Sequence, residues 1–279
     1  MQIDEQNQHE QYYIKVEKIL SLKITMVLIV LLTLSIIYLS IFLKQYDLLI
    51  AAFFPATIYY AFKSSVTRKN FMMNYAKENN LDFVYYSKDV DLPGRLFAMG
   101  NQNNKSTIYH SIQGQYNGHP LKIFDYNYSV GTGDHKTTYI FTVCELEITD
   151  LDFPYILLKS KSMKKHAGTD YYGLDKDTQI KLDSELEDKF NLYYRTDYEI
   201  EVLQIFDKDL LSYLIQHGDK FSIEFAKNKI YIYDDKIISK KGEMDELYSI
   251  MKAIVDKSGP LLKRLGDDFR SMHEFYNKK

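Results

Sequence analysis

An α+β domain carried on a two-helix transmembrane hairpin is the architecture this sequence predicts, and three observations point to it. Ile24 to Leu43 reads ITMVLIVLLTLSIIYLSIFL, twenty positions without a charge. Thr107 to Gln115 and Leu121 to Val130 alternate apolar and polar residues on either side of Asn117-Gly118, the preferred dipeptide of a tight hairpin. Further on, helical periodicities cluster together and do not alternate with strands, which argues α+β over a parallel α/β fold.

The anchor comes first. At about 1.5 Å per residue the first run covers about 30 Å, the thickness of a bilayer's hydrocarbon core. Leu48 to Phe62 supplies a shorter second run containing Pro55; it crosses if Tyr46, Tyr59 and Tyr60 lie at the interface and Lys63 snorkels. Lys44 to Asp47 is too short for anything but a tight helical hairpin. Lys15, Lys18 and Lys23 flank the first span, Lys63, Arg68 and Lys69 follow the second, and the connection holds only Lys44. Positive charge on the flanks places both termini in the cytoplasm and the protein in the cell's cytoplasmic membrane, multi-pass. The leader contains Asp4, Glu5, Glu10 and Glu17, and no small-residue cleavage site follows the apolar run, so an uncleaved anchor is expected and not a signal peptide. The expected organisation is a cytoplasmic segment 1–23, a hairpin 24–63 and a cytoplasmic α+β domain 64–279.

The soluble part opens with a helix over Ser65 to Asn79, stopped by Asn79-Asn80. The Asn-Gly hairpin and the strand Thr137 to Ile148 then make a three-stranded antiparallel meander. Its alternation assigns Ile108, Ile112, Leu121, Ile123, Ile140, Cys144, Leu146 and Ile148 to one face. Tyr109, Phe124, Tyr126, Tyr128, Tyr139, Phe141 and Val143 fall on the other. Two apolar faces imply cover on both sides, or one aromatic face left open for binding. A strand near Tyr155 to Lys159, a polar loop with Gly168 and Gly173, and a short strand Asn191 to Arg195 follow. Thr196 with Glu199 reads as a capping box opening one helix through Val202 and Leu214 to His217-Gly218. A second hairpin turns at Asn228, and Met244 to Val255 is a helix broken at Gly259-Pro260 before a final helix through Leu261 and Met272.

Composition excludes several functions. Net charge is −3 and the five arginines are scattered, so nothing favours nucleic acid. Cys144 is alone, which removes intrachain disulfides and cysteine-based zinc sites. Zinc-binding histidine spacings, G-x-S-x-G, C-x-x-C and EF-hand loops are missing, so neither a cofactor nor a metal is expected. Gly131-Thr-Gly-Asp-His135-Lys136 resembles a phosphate loop, but it joins strand to strand where a phosphate loop opens a helix. The acidic pairs Asp207/Asp209, Asp234/Asp235 and Asp267/Asp268 fall where solvation explains them.

One pair stands out. With Tyr116 facing His119 across the turn, counting back sets His110 opposite Asp125, with Thr142 beside them. A His–Asp pair fixes a tautomer and supports base catalysis, which makes these two the candidates for a hydrolase-like membrane enzyme. Without a nucleophile motif, a self-satisfied polar pair explains them better. Lys159 to Lys165 offers a second alternative, an anionic-lipid sensor. The favoured expectation is a membrane-anchored binding or scaffolding module with a protein partner or a second copy of itself.

Gln115-Tyr-Asn-Gly118, Ile123-Phe-Asp-Tyr126, Gly131-Thr-Gly-Asp-His135 and Thr142-Val143 resemble a family of uncharacterised bacterial membrane proteins with an FDY…GxGKHxxT…TV core. Leu186-Glu-Asp-Lys-Phe190, Tyr194-Arg-Thr-Asp197, Ile223-Glu-Phe225 and Ile230-Tyr-Ile232 extend the resemblance, which covers Ile108 to Tyr233. It implies the hairpin anchor and a domain of unknown function, and no catalytic residue. Asp134 stands where that pattern has Lys, and Lys161 to Asp177 diverges from it.

Overall fold

The computed structural model describes residues 23–44, 49, 53–87, 92–97, 106–149, 151–163, 179–180, 184–194 and 196–277. The chain divides into two compact units, Met1–Tyr75 and Ala76–Lys279. Linker residues 45–47, Gly168, Gly173, Arg195 and the cluster's Lys164 and Lys165 lie outside the described residues.

In the first unit, α1 spans Lys23–Phe42. Within it Thr25–Phe42 is long and apolar enough to cross a membrane, and among the described residues no other helix is. Its surface is exposed apolar side chain, including Leu28, Leu31, Leu34 and Ile41. Thr33, Ser35 and Ser40 each donate their hydroxyl to the carbonyl four residues back, at 2.7–2.8 Å. Such back-bonding leaves these groups needing no water, as a helix in hydrocarbon requires. Residues of the expected second span open α2, which runs over Phe54–Glu78 into charged sequence. Asn80 at φ 55 ends it, a backbone region that Asn tolerates better than most residues.

The second unit is a nine-stranded antiparallel sheet with helices packed on it. The strands are β1 (Asp82–Ser87), β2 (Ser106–Tyr116), β3 (His119–Val130), β4 (Thr137–Glu147), β5 (Phe153–Ser160), β6 (Gln179–Ile180), β7 (Phe190–Tyr194), β8 (Ser222–Lys227) and β9 (Lys229–Asp234). Their order is β1-β2-β3-β4-β9-β8-β5-β7-β6. The helices are α3 (Ser184–Lys189), α4 (Glu199–Ile205), α5 (Lys208–His217) and α6 (Lys241–Asn277).

Register is set at the β2–β3 turn. Asn117 and Gly118 sit at φ 50 and 82, and Tyr116 pairs with His119, as the dipeptide predicts. From there one apolar row crosses the sheet: Phe83, Ile112, Ile123, Cys144, Ile232, Ile223, Leu158, Leu192 and Ile180 are successive partners. This face carries the helices. Phe206 meets Phe225 edge to face at 5.9 Å, and α6 packs on β4, β5 and β9 and against α4 and α5. The opposite face is aromatic. Phe124, Tyr126, Tyr128, Phe141, Tyr231 and Tyr233 are buried there beneath Leu92, Leu96 and Phe97, so both faces are covered.

Four expectations are corrected. A bulge between Tyr109 and Ile112 makes Tyr109, and not His110, the partner of Asp125. The extra residue exchanges sides for the rest of β2: Ile108 joins the aromatic cluster, and Tyr109 leaves the aromatic face. Ile140, placed in the core by alternation, is 39% exposed near the open end of β4. The Thr196/Glu199 capping box does not form: Thr196–Tyr198 is a 3-10 turn, and α4 begins at Glu199 without a side-chain cap. A break at Phe206 separates α4 from α5, where Asp207 accepts from the Leu210 N–H at 2.8 Å. Finally, α6 runs unbroken through Gly259-Pro260. Proline there removes one backbone hydrogen bond, and the buried packing of Ile254, Leu262 and Ser258 around it outweighs that loss.

Candidate functional site

His110 and Asp125 do meet, although their backbones are not partners. The bulge holds His110 at φ 49, a strained conformation for a residue with a Cβ, and this turns the ring toward β3. His110 Nδ1 lies 3.1 Å from Asp125 Oδ2. With its proton on Nδ1, the imidazole donates to the carboxylate. The Tyr85 ring stands edge-on to the imidazole at 5.4 Å.

Thr142, the partner of Asp125 on β4, donates its hydroxyl to Asp125 Oδ1 at 3.2 Å and accepts from the Ile238 N–H at 3.0 Å. Its backbone N–H donates to the Lys236 carbonyl at 3.2 Å. These bonds fasten the connection between β9 and α6 onto the sheet.

Asp234 is the partner of Thr142 on the other side, so the polar row continues from β3 across β4 to β9. It was expected in a solvated turn, yet it is buried, and burial pushes its carboxyl up to about 6 against the opposing pull of Lys236. Lys236 Nζ stands 3.9 Å from Asp234 Oδ2 and 3.5 Å from Glu243 Oε2.

Chemically this row is a closed one. His110 and Asp125 are 9% and 3% exposed, and His110 Nε2, the atom a general base would use, is buried without a hydrogen-bond partner. The neighbouring hydroxyl, on Thr142, is occupied by Asp125 and Ile238. Among the described residues no three His, Cys, Asp or Glu side chains converge as metal ligands. The sheet brings together His110, Asp125, Thr142 and Asp234 and leaves the other candidates apart. The phosphate-loop lookalike is a strand-to-strand turn with a 3-10 segment at Gly133–His135. Of the basic cluster, Lys161 donates from Nζ to the Glu187 carbonyl.

A second buried acid gave no sign in the sequence. Glu224 lies on the aromatic face, fully enclosed, between Leu157 and Tyr231 in register. It accepts from the backbone N–H groups of Arg95 and Leu96, the latter at 3.4 Å. The Arg95 guanidinium stacks 4.1 Å from the Tyr155 ring centroid. Burial outweighs these partners and pushes the Glu224 carboxyl up to about 7. In Ser222–Lys227 the alternation of Ile223 and Phe225 with Glu224 reads as a half-exposed strand; only a covered second face makes this position internal.

No family model matches the sequence, and comparison with curated proteins gives no match. Among solved structures, the crystal structure of the mycobacterial trehalose monomycolate transport factor A, TtfA, is similar at 14% identity and a TM-score of 0.49, over 68% of this chain and 94% of that one.

Proposed function

We propose that this protein is a membrane-anchored binding or scaffolding module whose α+β unit faces the cytoplasm, with α1 as the first span and residues 48–62 as the second. The observation that carries the reading is α1 itself, a helix with exposed apolar side chains whose hydroxyls are satisfied within the helix. A soluble domain gains nothing from such a surface, whereas a bilayer solvates it. The six flanking Lys and Arg against one in the connection support the orientation. A non-catalytic role is supported by the closure of the His110–Asp125 pair, whose outward nitrogen meets neither solvent nor a partner.

Cysteine labelling in intact cells tests the topology. Cys144 is fully buried, so the native thiol gives little background. Gln45→Cys is expected to react with an impermeant maleimide and Asn228→Cys only after the membrane is permeabilised. The opposite pattern would place the α+β unit outside and end the cytoplasmic reading. Affinity capture from detergent-solubilised membranes then identifies the partner, and turnover by the purified protein in a broad hydrolase screen would count against a non-catalytic module.

A further inference from the structure

We propose that residues 92–97 form a strap over the aromatic face whose seating is controlled by protonation of Glu224: neutral Glu224 holds the strap down, and ionised Glu224 loosens it. The inference goes beyond the membrane-module reading and does not depend on which side of the bilayer the unit occupies.

The geometry begins with what the strap covers. Phe97 is fully buried, and its ring stands edge-on to Tyr126 at 4.8 Å and steeply inclined to Tyr231 at 4.9 Å. Leu92 and Leu96 join the same cluster over Phe124, Tyr128 and Phe141. Lifting the strap therefore uncovers a contiguous aromatic surface, the kind of surface that binds apolar partners. Glu224 is the polar fastening beneath it, taking the backbone N–H groups of Arg95 and Leu96. At Gly94 a Cβ would meet Phe97 at 3.0 Å and Glu224 Oε2 at 3.1 Å, so strap and carboxyl approach closely.

The groups acting on Glu224 come from each packed element. From the strap, the Arg95 and Leu96 N–H groups and the Arg95 guanidinium favour the charged form, and from β5 so does the Tyr155 hydroxyl. From β9, Tyr231 is its strand partner, and the Tyr233 hydroxyl is itself pushed up by Glu224. Desolvation opposes all of these and is the largest effect, so the closed strap favours the neutral acid.

Linkage fixes the sign. With the strap open, Glu224 is hydrated and titrates near 4.5; with it closed, near 7. Closure is therefore accompanied by proton uptake between these values. The opening equilibrium rises about tenfold per pH unit across that window and levels off above it.

Hydrogen exchange of the full chain in detergent micelles, read by mass spectrometry on peptides covering 92–97 and expressed as protection relative to intrinsic exchange, tests this. Protection is expected to fall about a hundredfold from pH 5 to pH 7 and then to level off. In Glu224→Gln, a neutral isostere, it should stay near the acid value of the wild type at every pH. Arg95→Gln keeps Glu224 and both backbone donors but removes a cation that favours ionisation, so the levelling-off moves to higher pH. Wild-type protection that is independent of pH, or that rises with it, overturns the proposal. So does an Arg95→Gln profile superimposable on the wild type, and this arm remains readable if Glu224→Gln does not fold.

Discussion

Two glycines with left-handed backbones separate the cost of strain from the cost of contact. Gly118 has φ +82 and nothing within 4 Å of a built Cβ. Gly118→Ala therefore costs only the backbone preference, about 1–2 kcal/mol, and the β-branched Gly118→Val about 1–3 kcal/mol. Gly131 has φ +89, and a Cβ there would drive well inside van der Waals contact of the His135 carbonyl oxygen. That oxygen can retreat only by shifting the 3-10 turn, which is held by His135 N–H to Thr132 O at 3.3 Å and Lys136 N–H to Gly133 O at 3.2 Å. Giving up these bonds, at about 0.5–1.5 kcal/mol each, raises the loss for Gly131→Ala to about 2–5 kcal/mol. Guanidinium unfolding of the detergent-solubilised chain measures both. The 25 tyrosines and the absence of tryptophan make near-ultraviolet tyrosine dichroism a reporter of tertiary structure that α1 does not dominate. If the Gly118→Ala and Gly131→Ala losses agree within about 0.5 kcal/mol, the contact argument is refuted and backbone strain alone governs both turns.

Thr142→Val leaves the buried Ile238 N–H and an Asp125 oxygen short of a partner, and is expected to destabilise by about 1–3 kcal/mol in the same assay; Thr142→Ser should recover most of it. Because burial raises the Asp234 carboxyl from 3.8 to about 6, the folded state binds that proton more tightly, and its contribution is lost as pH rises from about 4 to about 6. Asp234→Asn should remove this slope and stabilise the protein at pH 7.5 by about 1–3 kcal/mol, with no gain at pH 3.5. Lys136→Ala, in the exposed turn that mimics a phosphate loop, should change stability by less than about 0.5 kcal/mol and leave nucleotide binding unaltered, by unfolding and by calorimetry with ATP.

The sequence revealed the meander as far as Ile112 because Asn117-Gly118 fixes both the turn and the pairing that propagates from it. It did not reveal the bulge. Alternation assigns sides by counting, and an extra residue at His110–Ser111 reverses every assignment beyond it, which is why Ile108 and Tyr109 exchange faces. The His110–Asp125 contact survived the miscount because the bulge that spoils the register also swings the imidazole back toward β3. Asp234 and Glu224 were illegible for another reason. A carboxylate in an alternating strand reads as the wet side, and nothing local announces that a strap and a set of helices dry both sides. The continuous α6 shows the same limit: Gly259-Pro260 is a local stop signal, overridden by packing that only the assembled layers supply.

The buried polar side chains share one task in this sheet: they attach covers. Apolar layers slide over one another at little cost, because hydrophobic burial has no direction. A hydrogen bond to a backbone N–H or carbonyl has one, and it is worth more in a dry interior. On the helix-covered face, the Thr142 hydroxyl fixes the Ile238 N–H and so the approach to α6, while the Ser258 hydroxyl ties α6 to the Ile205 carbonyl at the end of α4. At the far end of β5, Ser222 Oγ accepts from the Ser160 N–H, and Ser160 Oγ donates to the Asp219 carbonyl, holding the turn before β8. All of these fasteners are hydroxyls, indifferent to pH. On the aromatic face the strap at 92–97 is fastened by a carboxyl. A cover held by hydroxyls stays closed across the physiological range, whereas one held over a buried acid titrating near 7 changes its grip within that range. The two faces of the sheet are therefore built alike in apolar layering and differ in whether their closure responds to protons.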